Sequence, residues 1–204
     1  MSAIISELLI GTNNNGKIRE FRSLLCGLPA KLLDVSQIPS SVDVEETGET
    51  FAENARIKAI AYAASSGVVA LSDDSGLVVD ALDGRPGIRS ARYGGKGTSF
   101  ADKMSLLLNE LAASPSPGRG ASFVCSMAVA DPEGHILAES EGICSGVIAS
   151  EPRGAGGFGY DPVFIPDGFE FTFGELPETI KSKISHRARA IEQIMPFLRH
   201  LTAV

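Results

Sequence analysis

The apolar run Val68-Val69-Ala70-Leu71, followed at once by Ser72-Asp73-Asp74-Ser75-Gly76-Leu77, constrains this chain more than any other stretch. Its length and composition are those of a buried strand. Open α/β sheets take their ligands in the crevice beyond the carboxyl ends of such strands. Side chains alternate along an extended backbone, so Asp73 and Asp74 should face different ways and take different roles. Asp, Ser and Gly also dominate turns on their own account. Taken alone, the segment reads equally well as a turn.

The chain before it has the same logic. Leu8-Leu9-Ile10 ends a first strand, and Gly11-Thr12-Asn13-Asn14-Asn15-Gly16-Lys17 turns into a helix from about Lys17 to Leu25, with Ile18, Phe21, Leu24 and Leu25 on one face. A polar turn of this kind can offer free backbone N–H groups to an anion. Asn13, Asn14 and Asn15 add side-chain donors, and Lys17 adds a point charge. It is not a Walker A loop, because Ile18 stands where Ser or Thr is required. A plain tight connection is equally compatible. A strand is expected near Leu32-Leu33-Asp34-Val35. Then Asp43-Val44-Glu45-Glu46-Thr47-Gly48 leads into an alanine-rich helix, Phe51 to about Ser66, with Thr50 and Glu53 at capping-box spacing and Gly67 at its far end. On composition alone Lys58 is an exposed lysine. Glu45 and Glu46 either complement the helix dipole or supply a metal ligand that awaits a partner carboxylate.

Further on, Leu77 to Leu82 reads as another strand. Arg85 to Gly95 sets three arginines among small residues, which suits a phosphate or a partner surface. Ser99 caps a helix to about Ala113, whose Met104, Leu107, Leu108 and Leu111 are core. Ser114 to Gly120 is the clearest hinge or exposed loop, and strands follow at about 121–130 and 135–141, with 142–149 extending or adding one. In Gly154-Ala155-Gly156-Gly157-Phe158-Gly159-Tyr160-Asp161-Pro162, four glycines frame two aromatics. Such a loop lets backbone pass close to a flat ligand while Phe158 or Tyr160 stacks on it. A last helix opens around Lys181 to Arg187, with Ser185 as its N-cap. His186 and Arg187 in its first turn oppose the helix dipole, a defect that an anionic ligand would repair. His135 and His200 read as solvated.

At 204 residues the chain can form one large domain or two lobes sharing a core. A net charge of −7 argues against a broad grip on DNA or RNA, yet leaves room for a small phosphorylated ligand in one basic cleft. The three cysteines, Cys26, Cys125 and Cys144, fit no metal or redox spacing and read as reduced core residues. No apolar run approaches a spanning helix and Met1 to Glu7 lacks a basic leader, so no membrane association and a cytoplasmic location are expected.

Together these pieces resemble one family closely, the inosine/xanthosine triphosphate pyrophosphatases. The resemblance rests on Thr12-x-Asn14-x-x-Lys17, Glu45-Glu46-Thr47-Gly48 with Phe51-x-Glu53-Asn54-Ala55, and Asp73-Asp74-Ser75-Gly76-Leu77. It rests equally on Pro86-Gly87-Ile88 with Ser90-Ala91-Arg92-Tyr93, Gly156 to Pro162, and Lys181 with Ser185-His186-Arg187. It spans nearly the whole chain. Asn13 departs from a usual glycine, and Lys183 from a usual small residue. The resemblance implies an elongated α/β mixed-sheet fold, one catalytic domain of two lobes around a central substrate cleft, in a homodimer. It implies Mg²⁺-dependent hydrolysis of ITP, dITP and XTP to the monophosphate and pyrophosphate. On this chain it implies that Thr12, Asn13, Asn14, Asn15, Gly16 and Lys17 bind the triphosphate. Glu46 and Asp74 would hold Mg²⁺, with Asp74 the catalytic base. Ser75, Phe158, Gly159, Tyr160, Asp161, Lys181, His186 and Arg187 would complete the substrate site, with Lys58 a secondary phosphate contact. The rival readings are a related enzyme acting on modified pyrimidine nucleotides, and a nucleotide-binding module without catalysis.

Overall fold

The computed structural model describes residues 4–38, 44–116 and 118–202. Met1 to Ala3, Asp43 of the acidic stretch and Pro117 of the predicted hinge lie outside the described residues. The elements in order are β1 (Glu7–Ile10), α1 (Asn15–Leu24), β2 (Lys31–Asp34), α2 (Phe51–Ser66), β3 (Ala70–Val79), α3 (Phe100–Ala113), β4 (Gly120–Ala130), β5 (Ile136–Ile148), β6 (Phe164–Pro166), α4 (Glu178–Ile184) and α5 (His186–Thr202). The strands form one sheet in the order β2-β1-β3-β4-β5-β6. β1 is parallel to both β2 and β3, whereas β5 and β6 are antiparallel. This is the mixed α/β class expected from the sequence.

The caps follow the local chemistry. Thr50 Oγ1 accepts from the Glu53 N–H at 3.1 Å, and Glu53 Oε2 accepts from the Thr50 N–H at 3.2 Å. Gly67 closes α2 in the left-handed conformation, and Ser99 caps α3.

Three expectations are corrected. β3 does not turn at Asp73-Asp74 but runs unbroken through them to Val79, with a 3-10 turn over Asp80–Leu82. Turn propensity is local, and ion pairs formed far along the chain override it here. Lys181 to Ile184, expected to open the terminal helix, end a separate helix α4, whereas Ser185, extended at φ −66° and ψ 157°, directly precedes α5 at His186, where the N-cap was expected. Cys26 is exposed, whereas Cys125 and Cys144 are buried, and all three are free thiols. β6, three residues ending in a proline, is too short to leave a periodic signal.

The chain divides into two compact units: Met1–Asp74 with Cys125–Gly142 and Arg187–Val204, and Ser75–Val124 with Ile143–His186. In the first unit, strand alternation sorts the core into two clusters. Leu8, Ile10, Leu71, Met127 and Val129 pack with Phe21 of α1 and with Ile191, Ile194 and Leu198 of α5. Their neighbours Leu9, Ala70, Ala128 and Ala130 pack with Ala55, Ala59, Tyr62 and Ala63 of α2. The second cluster is mostly alanine, which lets α2 lie close to the strands. In the second unit Met104, Leu107 and Leu111 of α3 pack with Leu77, Val79, Phe123, Phe164 and Phe173.

Candidate functional site

In the first unit the adjacent carboxylates of β3 take different partners, as alternation requires. Asp74 Oδ1 is 3.0 Å from Lys58 Nζ, and Asp74 Oδ2 accepts from Asn54 Nδ2 at 3.3 Å. The same Lys58 ammonium lies 2.6 Å from Glu46 Oε1. Two carboxylates from distant stretches therefore converge on one cation. α2 positions it, because Asn54 and Lys58 are four residues apart and share a helix face. Lys58 is buried rather than exposed, which corrects the reading from composition. Burial pushes the Asp74 carboxyl up; Lys58 and Lys17 oppose the shift, and Glu46 adds to it. Burial alone would lower the Lys58 pKa, but Asp74, Asp73 and Glu46 outweigh it and keep the ammonium charged.

Glu46 reaches this point through the turn before α2. The Gly48 N–H donates to Asn54 Oδ1 at 2.8 Å. A Cβ on Gly48 would stand 2.7 Å from Glu53 Cβ and 2.8 Å from Asn54 Oδ1, so the Glu-Thr-Gly motif needs a residue with no side chain there.

Asp73 has its own cations. Its Oδ1 is 3.1 Å from Lys17 Nζ, and its Oδ2 accepts from Arg187 Nη2 at 2.7 Å. Arg187 also pairs with Glu20. Burial would raise the Asp73 pKa, but Lys17, Arg187 and Lys58 hold the group well below the usual carboxylate range. At the start of α1, Asn14 Oδ1 accepts from the N–H groups of Gly16 at 2.9 Å and Lys17 at 3.2 Å, and Thr12 Oγ1 accepts from the Asn14 N–H at 3.2 Å. Those two amides are engaged by the cap, so the turn is less open to an anion than its sequence suggests. Lys17 and the exposed side chains of Asn13 and Asn15 are what it presents. Asn13 also donates to the Tyr62 hydroxyl at 3.3 Å.

In the second unit the glycine-rich loop is knitted onto Asp161. Asp161 Oδ2 accepts from the Phe158 N–H at 2.7 Å and from Lys181 Nζ. Gly157 has φ +69°, and a Cβ there would fall 1.9 Å from Asp161 Oδ2, so the loop requires glycine at this position. Lys181 Nζ stands 4.9 Å over the Phe158 ring. The two aromatics separate: Tyr160 is buried, donating to the Ser90 carbonyl at 3.1 Å and meeting Phe100 edge-on, whereas Phe158 is half-buried. Ser75 is half-buried at the start of this unit's share of β3. His186 is buried, stacked on Phe123 at 4.7 Å between centroids.

Sequence reasoning missed Asn54 and Glu20 as site residues, and placed Lys58 only as a secondary phosphate contact implied by the resemblance. Lys58 and Asn54 carried a signal in their i, i+4 spacing, and Glu20 in its i, i+3 spacing from Lys17. What each spacing pointed toward lay in another part of the chain.

Comparison with known proteins gives consistent findings. The profile of the Ham1 family matches residues 8–197. A dITP/XTP pyrophosphatase of Prochlorococcus marinus is 44% identical over 197 residues, 97% of this chain and 94% of that protein. Another, of Geobacter sulfurreducens, is 46% identical over 187 residues, 92% and 94% of the respective chains. The solved HAM1 protein of Coxiella burnetii is similar at a TM-score of 0.87 and 39% identity, over 96% of this chain and 100% of that one.

Proposed function

This chain belongs to the Ham1 family, and from that premise we propose that it hydrolyses non-canonical purine nucleoside triphosphates, ITP, dITP and XTP, to the monophosphate and pyrophosphate. The observation that carries the reading is the convergence of Glu46 and Asp74 on one cationic point. The relatives named dITP/XTP pyrophosphatase support the substrate class.

The donor set fits Mg²⁺. Two carboxylates already share a cation, and both supply the hard oxygens that Mg²⁺ prefers. Among the described residues no group of three or more His, Cys, Asp and Glu could hold a metal ion. A site of one or two carboxylates, completed by substrate phosphates and water, is the usual Mg²⁺ arrangement in phosphoryl transfer. Glu46 and Asp74 would hold the ion, and when bound it would offset charge on the phosphates.

The chain's own residues supply the rest. Lys17, with Thr12, Asn13, Asn14, Asn15 and Gly16, takes the triphosphate. Asp74 orients a water and accepts its proton as the oxygen bonds to the α-phosphorus and the α–β anhydride bond breaks. With Mg²⁺ bound the carboxylate would stay ionised and so able to accept that proton. Phe158 stacks on the base, and Gly159, Tyr160, Asp161 and Lys181 hold the loop that carries it, with Ser75 as a further substrate contact. Hypoxanthine and xanthine carry a 6-oxo acceptor where adenine carries an amino donor. Donors toward O6, from backbone N–H, His186 or Arg187, would be left unpaired by adenine at about 1–3 kcal/mol each, roughly a tenfold to hundredfold rejection. We place this activity in a single catalytic domain of a cytoplasmic homodimer that binds neither nucleic acid nor membrane. No helix among the described residues is long and apolar enough to cross a membrane.

The test is turnover of ITP, dITP, XTP, ATP, GTP, dUTP and TTP with Mg²⁺, scored for pyrophosphate and orthophosphate. Pyrophosphate from the first three is expected. Orthophosphate as the primary product overturns the site of cleavage, and a preference for dUTP or TTP overturns the substrate class. Asp74→Asn should lower kcat by about 10²–10⁴-fold; unchanged turnover removes Asp74 as the base.

A further inference from the structure

We propose that Asp73 is a positioning residue: its buried carboxylate fixes the Lys17 ammonium for the triphosphate, and Arg187 with Glu20 fixes the carboxylate. The inference rests on the reading of Lys17 as a phosphate contact.

Lys17 sits in the first turn of α1, where a cation opposes the helix dipole and a flexible four-carbon stem has no local reason to be ordered. It is nevertheless ordered: its side chain is 13% exposed, and its Nζ is 3.1 Å from Asp73 Oδ1. Asp73 is itself immobilised. It is fully buried, its other oxygen takes Arg187 Nη2 at 2.7 Å, and the Cys125 thiol lies 3.6 Å away. Arg187 is 1% exposed and pairs in turn with Glu20, one helical turn beyond Lys17 on α1. The contacts thus close a circuit, from Lys17 through Asp73, Arg187 and Glu20 back to the same helix.

Stability is a weak reason for such a circuit, since buried ion networks are often no better than apolar packing of equal volume. Positioning is a stronger one. The 3.1 Å ion pair with Asp73 Oδ1 fixes where the ammonium sits, and an ammonium carries three N–H donors with which to meet phosphate oxygens. Ordering the side chain before substrate arrives removes that entropy from the binding step. Because Asp73 and Asp74 are neighbours on β3 with alternating directions, one strand registers both the phosphate-binding lysine and the water-binding carboxylate.

A double-mutant cycle on the full chain tests this, with Mg²⁺ and the non-hydrolysable α,β-imido analogue of ITP as the probe. Simple charge arithmetic says that Asp73→Asn, which removes a negative charge near an anion site, tightens binding. Positioning says the opposite. We expect Lys17→Met and Asp73→Asn each to weaken analogue binding about tenfold or more, and the double variant to bind no more weakly than Lys17→Met alone. If Asp73→Asn tightens binding, or costs the same with and without Lys17, the positioning role falls while the phosphate role of Lys17 stands. If Lys17→Met leaves binding unchanged, both fall. Should Asp73→Asn not fold, Asp73→Glu keeps the charge and displaces it by a methylene; the same loss, again absent in the Lys17→Met background, is expected. As a second readout, the Lys17 ¹⁵Nζ–H resonance should be observable in the wild type and lost to exchange in the Asp73 variant. A resonance that persists there overturns the proposal.

Discussion

At Lys58, the carboxylates of Glu46 and Asp74 share one ammonium, and removing it leaves two negative groups facing each other. Any cation that occupies that point must contend with Lys58. Lys58→Met should therefore bind Mn²⁺ more tightly in the absence of nucleotide, by on the order of tenfold, as read from an electron paramagnetic resonance titration. Weaker Mn²⁺ binding would mean that Lys58 assembles the pair rather than competing for it. The thiols give a second check at this scale. Cys125 is fully buried, and burial beside Asp73 pushes its thiol well above the usual range. Cys144 is buried as well, whereas Cys26 is exposed. One thiol per native chain should react with a thiol reagent at neutral pH, and all three after denaturation. Fast labelling of Cys125 in the native state would contradict its burial.

Elements place these residues by their periods. The 3.6-residue period of α2 puts Asn54 and Lys58 on one face, and the two-residue period of β3 sends Asp73 and Asp74 to different partners. The glycine-rich loop has no period and relies on backbone geometry instead. Gly157→Ala meets both a positive φ and the Asp161 carboxylate. It should detach the Phe158 N–H and raise KM for ITP at least tenfold, with a smaller effect on kcat; unchanged KM would take the loop out of substrate binding. Much at this scale was legible beforehand. The Thr50–Glu53 capping box, the Gly67 terminus and the Ser99 cap all stand where local chemistry placed them. The turn at Asp73-Asp74 did not, because the cations that make those carboxylates tolerable in a strand come from residues 17, 58 and 187.

On the scale of the whole molecule, the chain supports two compact units, each with its own core. The charged network of Lys17, Glu20, Glu46, Lys58, Asp73, Asp74 and Arg187 is contained in the first unit. The aromatic loop of Phe158, Tyr160, Asp161 and Lys181 is contained in the second. On the proposed function, phosphate chemistry falls to the first unit, and base recognition falls mainly to the second, with Arg187 of the first as a further candidate donor. Gly157→Ala should accordingly leave Mn²⁺ binding in the first unit unchanged. The proposed homodimer predicts twice the chain mass in sedimentation equilibrium at micromolar concentration, and a single-chain mass would remove it.

The sequence by itself determined the α/β class, the helix caps, the core faces and the family, because these depend on short-range periods, cap chemistry and an ordered set of motifs. Only the tertiary structure decided which ionisable groups meet. On composition alone Lys58 read as a solvated lysine, and Asp73 read equally well as part of a turn, since neither reading contains the partners. Their ion-pair partners stand 12 to 114 positions away in the chain. Burial makes those pairs strong, and burial is a property of the folded chain rather than of any segment.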